Sequence, residues 1–183
     1  MPTAYIGLGA NLPSAAGSPE ATLAAAALRI SSLGRLVARS SLYSTEPVGF
    51  AEQPRFFNAA VSLETDLTPR ALLNGLLAIE REFGRDRSAS FPNGPRTIDL
   101  DILLFAEQVV AEPDLEIPHP RLAARAFVLV PLAEIAPHAV DRASGCTVGQ
   151  LLSALRAYPS DQADAVVPLQ TQLWRAEDSD VPR

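Results

Sequence analysis

A single cysteine in 183 residues excludes an internal disulfide and favours a reducing compartment. No apolar run approaches the length needed to span a bilayer. The opening residues, MPTAYIGLGA, lack the basic segment and long apolar stretch of a signal peptide. A cytoplasmic protein without a membrane partner is therefore expected. Positive charge is also scarce: the net charge of −6 leaves no basic footprint, so nucleic acid is disfavoured as a partner. Internal repeats are absent, as is low-complexity sequence beyond one alanine-rich stretch. What is present is apolar material, 48% of residues, enough for a real core. The length suits one domain, placed at residues 1–158. From Pro159 the pattern dissolves into acidic, proline-containing sequence, so 159–183 reads as a tail of unknown role. Against the acidic background, Arg81, Arg85, Arg87 and Arg96 form a local basic cluster, compatible with a small polyanionic ligand.

Hydrophobic periodicity predicts strands over Thr3–Gly9, Arg35–Ser44 and Phe57–Asp66. A helix is expected over Glu20–Leu33. A second starts at Pro69, with Thr68 as N-cap, and stops at Gly84. A strand in GPRTIDLDILLF follows, then a short strand or hairpin at QVV. A turn and short helix are expected within PHPRLAARAFVLVPLAEIAP, a last helix over Thr147–Ala157, and one possible strand in AVVPLQTQL. The order β-α-β-β-α-β predicts an α+β, ferredoxin-like split βαβ fold, an antiparallel sheet with helices packed on one face and long loops beside the site.

The strand in GPRTIDLDILLF carries Asp99 and Asp101. Residues two apart share a strand face, so the carboxylates project together, about 7 Å apart along the strand. Strict alternation sends Ile98, Leu100, Ile102 and Leu104 into the core, and Leu103 and Phe105 to the aspartate side. An isolated D-x-D is most often a solvated strand face. Here aspartate is a poor strand former, the opposite face is uniformly apolar, and Arg96 lies just upstream. Paired carboxylates with waters and phosphate oxygens suit Mg²⁺.

Arg85 and Arg87 occupy a polar loop that reads equally as solvated surface or as a lid over phosphoryl groups. Glu80, near the end of the second helix, reads by itself as a surface residue. His119 sits in a turn fixed by flanking prolines; His138 reads as structural. Phe56, Phe57 and Phe127 are by default core, and Asn58 suits the edge of a heterocycle. GLGANL has the look of a dinucleotide-binding turn, but the third glycine is missing and the downstream order is wrong for that fold.

Together AYIGLGANL, SLYSTEPVG, QPRFFNAAVSLET, IEREFGRDR, GPRTIDLDILLF, IPHPRLAARAFVLVPL and LAEIAP resemble, in order and over about residues 3–158, the 6-hydroxymethyl-7,8-dihydropterin pyrophosphokinases of folate biosynthesis. The resemblance implies transfer of pyrophosphate from ATP to a reduced pterin, releasing AMP. It implies two Mg²⁺ ions held by Asp99 and Asp101, and a catalytic set of Arg85, Arg87 and Arg96. Phe56 and Phe127 would sandwich the pterin, and Asn58, Thr45, Pro47 and Val48 would bind its edge. Glu80, Arg96, Ile102, His119 and Arg125 would bind ATP. A monomer is expected, with ATP and the pterin as its partners. Three departures stand out: FPNGPR replaces a run that in relatives often carries a basic and an aromatic residue, Pro120 stands where some members have tyrosine, and Asp114 and Glu116 occupy a region that in some members supplies basic or hydroxyl contacts to ATP. A nucleotidyl transferase on the same sheet and a non-catalytic binding module are the competing readings. The acidic charge argues against the first, the Asp99/Asp101/Arg96 set against the second.

Overall fold

A computed structural model describes residues 1–47, 52–88, 94–157 and 166–175. The expected order is present: β1 (Thr3–Ala10), α1 (Pro19–Ile30), β2 (Arg35–Arg39), β3 (Leu42–Thr45), β4 (Phe56–Glu64), α2 (Pro69–Glu82) and β5 (Asp99–Phe105). The helix starts follow the local chemistry. Ser18 and Thr68 each accept a first-turn amide at 3.2 Å, and a proline opens each helix. Gly84 leaves α2 at φ +78°, a conformation that favours glycine.

The strand expected over Arg35–Ser44 is two strands. Both pair with β4, but the register slips between them, at Ser40. There the Ser40 hydroxyl, rather than a main-chain carbonyl, accepts the Ala60 amide at 2.9 Å. This side-chain substitute for a ladder bond breaks the strand.

The sheet runs β5-β1-β4-β3, with β2 also on β4 and every pairing antiparallel. β4 lies between β1 and the β2–β3 strand pair, which is the split βαβ arrangement. α1 and α2 cover one face, where Ile6, Leu8, Val61 and Leu100 meet Leu23, Ile30, Leu72 and Leu76. The expectation of helices on one face fails. α3 (Ala126–Ile135) and α4 (Val148–Ala157) pack on the other face against Ala60, Leu103 and Leu104. The reason is visible in AFVLVPLAEI: a helix apolar nearly all round must be covered on more than one side.

Strict alternation along β5 also fails. Ile102 pairs with Ile6 and Leu104 with Tyr5, so Leu103 is an extra residue in a β-bulge. Beyond the bulge the faces exchange: Leu104 joins the α3/α4 core and Phe105 the α1/α2 core.

A hairpin of β6 (Val110–Glu112) and β7 (Leu115–Ile117) follows β5. Near the end of the described chain, β8 (Val167–Leu169) pairs with β3, and α5 (Gln172–Arg175) brings Trp174 into the core with 5% exposure.

Candidate active site

The sheet face that carries α3 and α4 is only partly covered, and the rest is an open cleft. Its floor is set by register. Gly9 on β1 pairs with Asn58 on β4 and Asp99 on β5; Gly7 pairs with Ala60 and Asp101. A side chain at either glycine would enter the cleft floor. A Cβ on Gly9 would lie 3.1 Å from Asn58 Oδ1, and one on Gly7 would lie 3.3 Å from Leu103. GLG, discarded as a dinucleotide motif, is thus the sequence signal for the floor: two glycines with strand spacing, facing the two aspartates.

One end of the cleft is aromatic. Phe56, Asn58 and Thr45 line it from β4 and β3, and Phe127 and Val128 from the start of α3. Asn58 Nδ2 donates to Thr45 Oγ1 at 2.7 Å, both groups buried, which holds the amide in one orientation. The rings are tied to the charged end. The Arg96 guanidinium lies 5.0 Å from the Phe56 ring centre and that of Arg125 lies 5.5 Å from Phe127.

The other end is charged. Asp99 Oδ2 accepts from Arg96 Nη1 at 2.8 Å, and its Oδ1 lies 3.9 Å from Arg85 and 3.7 Å from Arg87. Asp101 Oδ2 is 4.0 Å from His119 Nε2. Burial, reinforced by the Asp99 charge, pushes the Asp101 carboxyl up to about 6. Burial, with Arg125 and Arg121 nearby, pushes His119 down to about 4. His119 is therefore neutral at pH 7. Its Nδ1 accepts the Arg121 amide at 3.1 Å, so Nε2 carries the proton toward Asp101. The main-chain amide of His119 donates to the Leu103 carbonyl at 2.9 Å, fastening the turn to the β5 bulge.

Among the described residues, no three His, Cys, Asp or Glu side chains are grouped to hold a metal. Two carboxylates with most coordination left to water and phosphate is nonetheless the donor pattern Mg²⁺ prefers. The pair faces an open cleft flanked by Arg85, Arg87, Arg96 and Arg125, so cation and polyanion fit together.

Glu80 is a correction to its reading as a surface residue: it is 1% exposed. Its carboxylate accepts the Leu100 amide at 2.8 Å and two Arg87 N–H groups at 2.9 and 2.8 Å. Burial raises its pKa, opposed by those donors. It therefore holds Arg87 against the strand that carries the aspartates. The Ile102 side chain lies in the α1/α2 core, on the face away from the aspartates, and does not line the cleft.

The fold thus collects Thr45, Phe56, Asn58, Arg96, Asp99, Asp101, Arg125 and Phe127 in one cleft. Arg85, Arg87 and His119 border the carboxylates. Pro47 is half-buried beside Glu46, which lines the cleft and pairs with Arg55. Val48 and the Phe91–Asn93 part of FPNGPR lie outside the described residues. Sequence reasoning missed Gly7, Gly9, Glu46 and Asn11. Asn11 accepts the Arg96 amide at 2.8 Å and donates to Gln53 and Pro54, joining the two loops beside the cleft.

An antiparallel split βαβ sheet with paired carboxylates, clustered arginines and an aromatic–amide pocket in one cleft defines an α+β enzyme of phosphoryl-group transfer. The family model described as 7,8-dihydro-6-hydroxymethylpterin-pyrophosphokinase (HPPK) matches residues 5–137, and the chain belongs to that family. It is 50% identical over 135 residues to the 2-amino-4-hydroxy-6-hydroxymethyldihydropteridine pyrophosphokinase of Pseudomonas aeruginosa, covering 73% of this chain and 80% of that protein. Identity to the protein of the same name from Methylorubrum extorquens is 44% over 157 residues, or 85% and 94% of the two chains. Among solved structures, wild-type Plasmodium falciparum HPPK-DHPS with STZ-DHP superposes with a TM-score of 0.71 at 15% identity. That match covers 93% of this chain but 47% of the other, so this chain spans about half of it, and the likeness concerns the fold alone.

Proposed function

We propose that the chain transfers the pyrophosphoryl group of ATP to 6-hydroxymethyl-7,8-dihydropterin, as a step of folate biosynthesis. The observation that carries this reading is the row Asn58–Gly9–Asp99 across three adjacent strands. Strands spaced about 4.8 Å apart put the amide and the carboxylate roughly 10 Å apart at the backbone, with no side chain between them. A flat bicyclic ring fits over Gly9, with its polar edge on Asn58 and Thr45 and its substituent directed at Asp99. Phe56 and Phe127 supply the ring contacts.

Arg85, Arg87, Arg96 and Arg125 bind and orient the ATP phosphates, and His119 donates from Nε2 at the same end. Ile102 contributes main chain rather than side chain, and Glu80 acts by fixing Arg87. Asp99 and Asp101 would hold two Mg²⁺ ions, which would supply neutralisation of phosphate charge and polarisation of the β-phosphorus. The pterin hydroxyl oxygen bonds to the β-phosphorus while the bond to the α,β-bridging oxygen breaks. AMP leaves with that oxygen, and the hydroxyl proton passes to water. The arginines compensate charge as it moves to the leaving group, which positioning and electrostatics can achieve without a covalent intermediate. A cytoplasmic monomer is the proposed setting; no described helix is long and apolar enough to cross a membrane.

The test is incubation with ATP, Mg²⁺ and the pterin, with AMP as readout. AMP at the no-pterin level overturns the reading, and ADP in its place would mean transfer of a single phosphoryl group.

A further inference from the structure

Residues 166–175 lie outside the segment matched by the family model, yet they contact the strand that supplies one wall of the cleft. β3 is a four-residue strand. On one side it pairs with β4 through Tyr43, Ser44 and Thr45; on the other it pairs with β8 through Leu42, Tyr43 and Ser44. Without β8 it would be a short edge strand following a break, held by β4 and by Glu134 of α3, which accepts from Ser41 and the Tyr43 hydroxyl.

Trp174 locks this arrangement. Its ring is 5% exposed and sits in the core with Leu42 and Ile30, while α5 lies against α1. The indole Nε1 donates to the Ser40 carbonyl at 2.6 Å, and the Arg39 guanidinium stacks 4.3 Å from the ring centre. Ser40 is where β2 gives way to β3. Its amide donates to the Ala60 carbonyl at 2.9 Å and its hydroxyl accepts the Ala60 amide at 2.9 Å. Its carbonyl is served by Trp174. The indole therefore completes the hydrogen bonding of the joint from which β3 departs. At the far end of β3, Thr45 orients the Asn58 amide.

We propose that residues 166–175 are a positioning element for the pterin side of the cleft, acting through Trp174, Ser40 and β3 on Thr45 and Asn58. Assigning the pterin to that end rests on the function proposed above. Its bonds among the described residues run to β3, Ser40 and Arg39, which lie on the pterin side, so a selective effect is expected.

Trp174→Ala tests this in the full-length protein, with Trp174→Phe as a variant that keeps an aromatic ring, smaller than the indole, but loses the N–H. Expected for Trp174→Ala is amide exchange at residues 42–45 faster by about tenfold or more, with β1 and β5 still protected. KM for the pterin should rise by about fivefold or more, with KM for ATP and kcat within about threefold. Trp174→Phe should show the same pattern more weakly. Unchanged exchange at 42–45, or equal rises in both KM values, would overturn the proposal. If the wild type forms no AMP, the functional reading fails, and the exchange result still decides whether the segment holds β3.

Discussion

Gly9→Ala is the sharpest probe of how the cleft is built. Gly9 lies in regular pairing on both sides, so alanine suits its backbone, and a less flexible unfolded chain favours the variant by about 0.4–1 kcal/mol. Against this, the new methyl would meet Asn58 Oδ1 at 3.1 Å, closer than ordinary contact. Asn58 has little room to give, because its Nδ2 is bonded to buried Thr45 at 2.7 Å. Straining that bond costs about 0.5–1.5 kcal/mol, so net stability should stay within about 1 kcal/mol of wild type. Binding has no such offset. A ring over the floor would have to sit higher or give up the Asn58 contact, and overpacking of this kind costs about 1–3 kcal/mol, or roughly 5- to 150-fold in affinity. Calorimetric titration of the pterin, with a non-hydrolysable ATP analogue present, should show this weakening, while affinity for the analogue alone changes by less than about threefold. Gly7→Ala is the control: its methyl meets the yielding Leu103 side chain and should cost less. A folded Gly9→Ala protein with wild-type pterin affinity would refute the reasoning.

Asp99→Ala and Asp101→Ala should each lower turnover by at least about a hundredfold while the protein stays folded; full activity in either removes its carboxylate from the metal site. Glu80→Ala, which strips the acceptor from Leu100 and Arg87, should cost about 3 kcal/mol in urea unfolding, and an unchanged midpoint would mean the buried carboxylate holds nothing. The pH dependence of metal-free stability should contain two opposed contributions. Between pH 3.8 and about 6, Asp101 keeps its proton folded and loses it unfolded, so stability falls as pH rises. Between about 4 and 6.5, His119 is neutral folded and protonated unfolded, so stability rises with pH. Relative to wild type, Asp101→Asn should therefore make the slope of melting temperature against pH more positive and His119→Gln more negative; shifts of the same sign in both would contradict the geometry.

The element order, the helix cap at Thr68, the split βαβ topology and the placement of Asp99 and Asp101 on one strand face were legible in the chain alone. These follow from local chemistry and from periods of two and 3.6 residues, which operate within a single element. Tertiary structure alone decided what depends on neighbours distant in the chain. The bulge at Leu103 appears only when β5 is laid against β1, and the break at Ser40 only when a hydroxyl takes over a bond from β4. Glu80 looks like surface until Leu100 and Arg87 close over it. The role of Gly9 is invisible until register sets it between Asn58 and Asp99, because an absent side chain has meaning only through what faces it. Trp174 falls in the tail to which the sequence assigned no role, and its place under the β2–β3 joint comes from a hydrogen bond spanning 134 residues, a separation that no local pattern encodes.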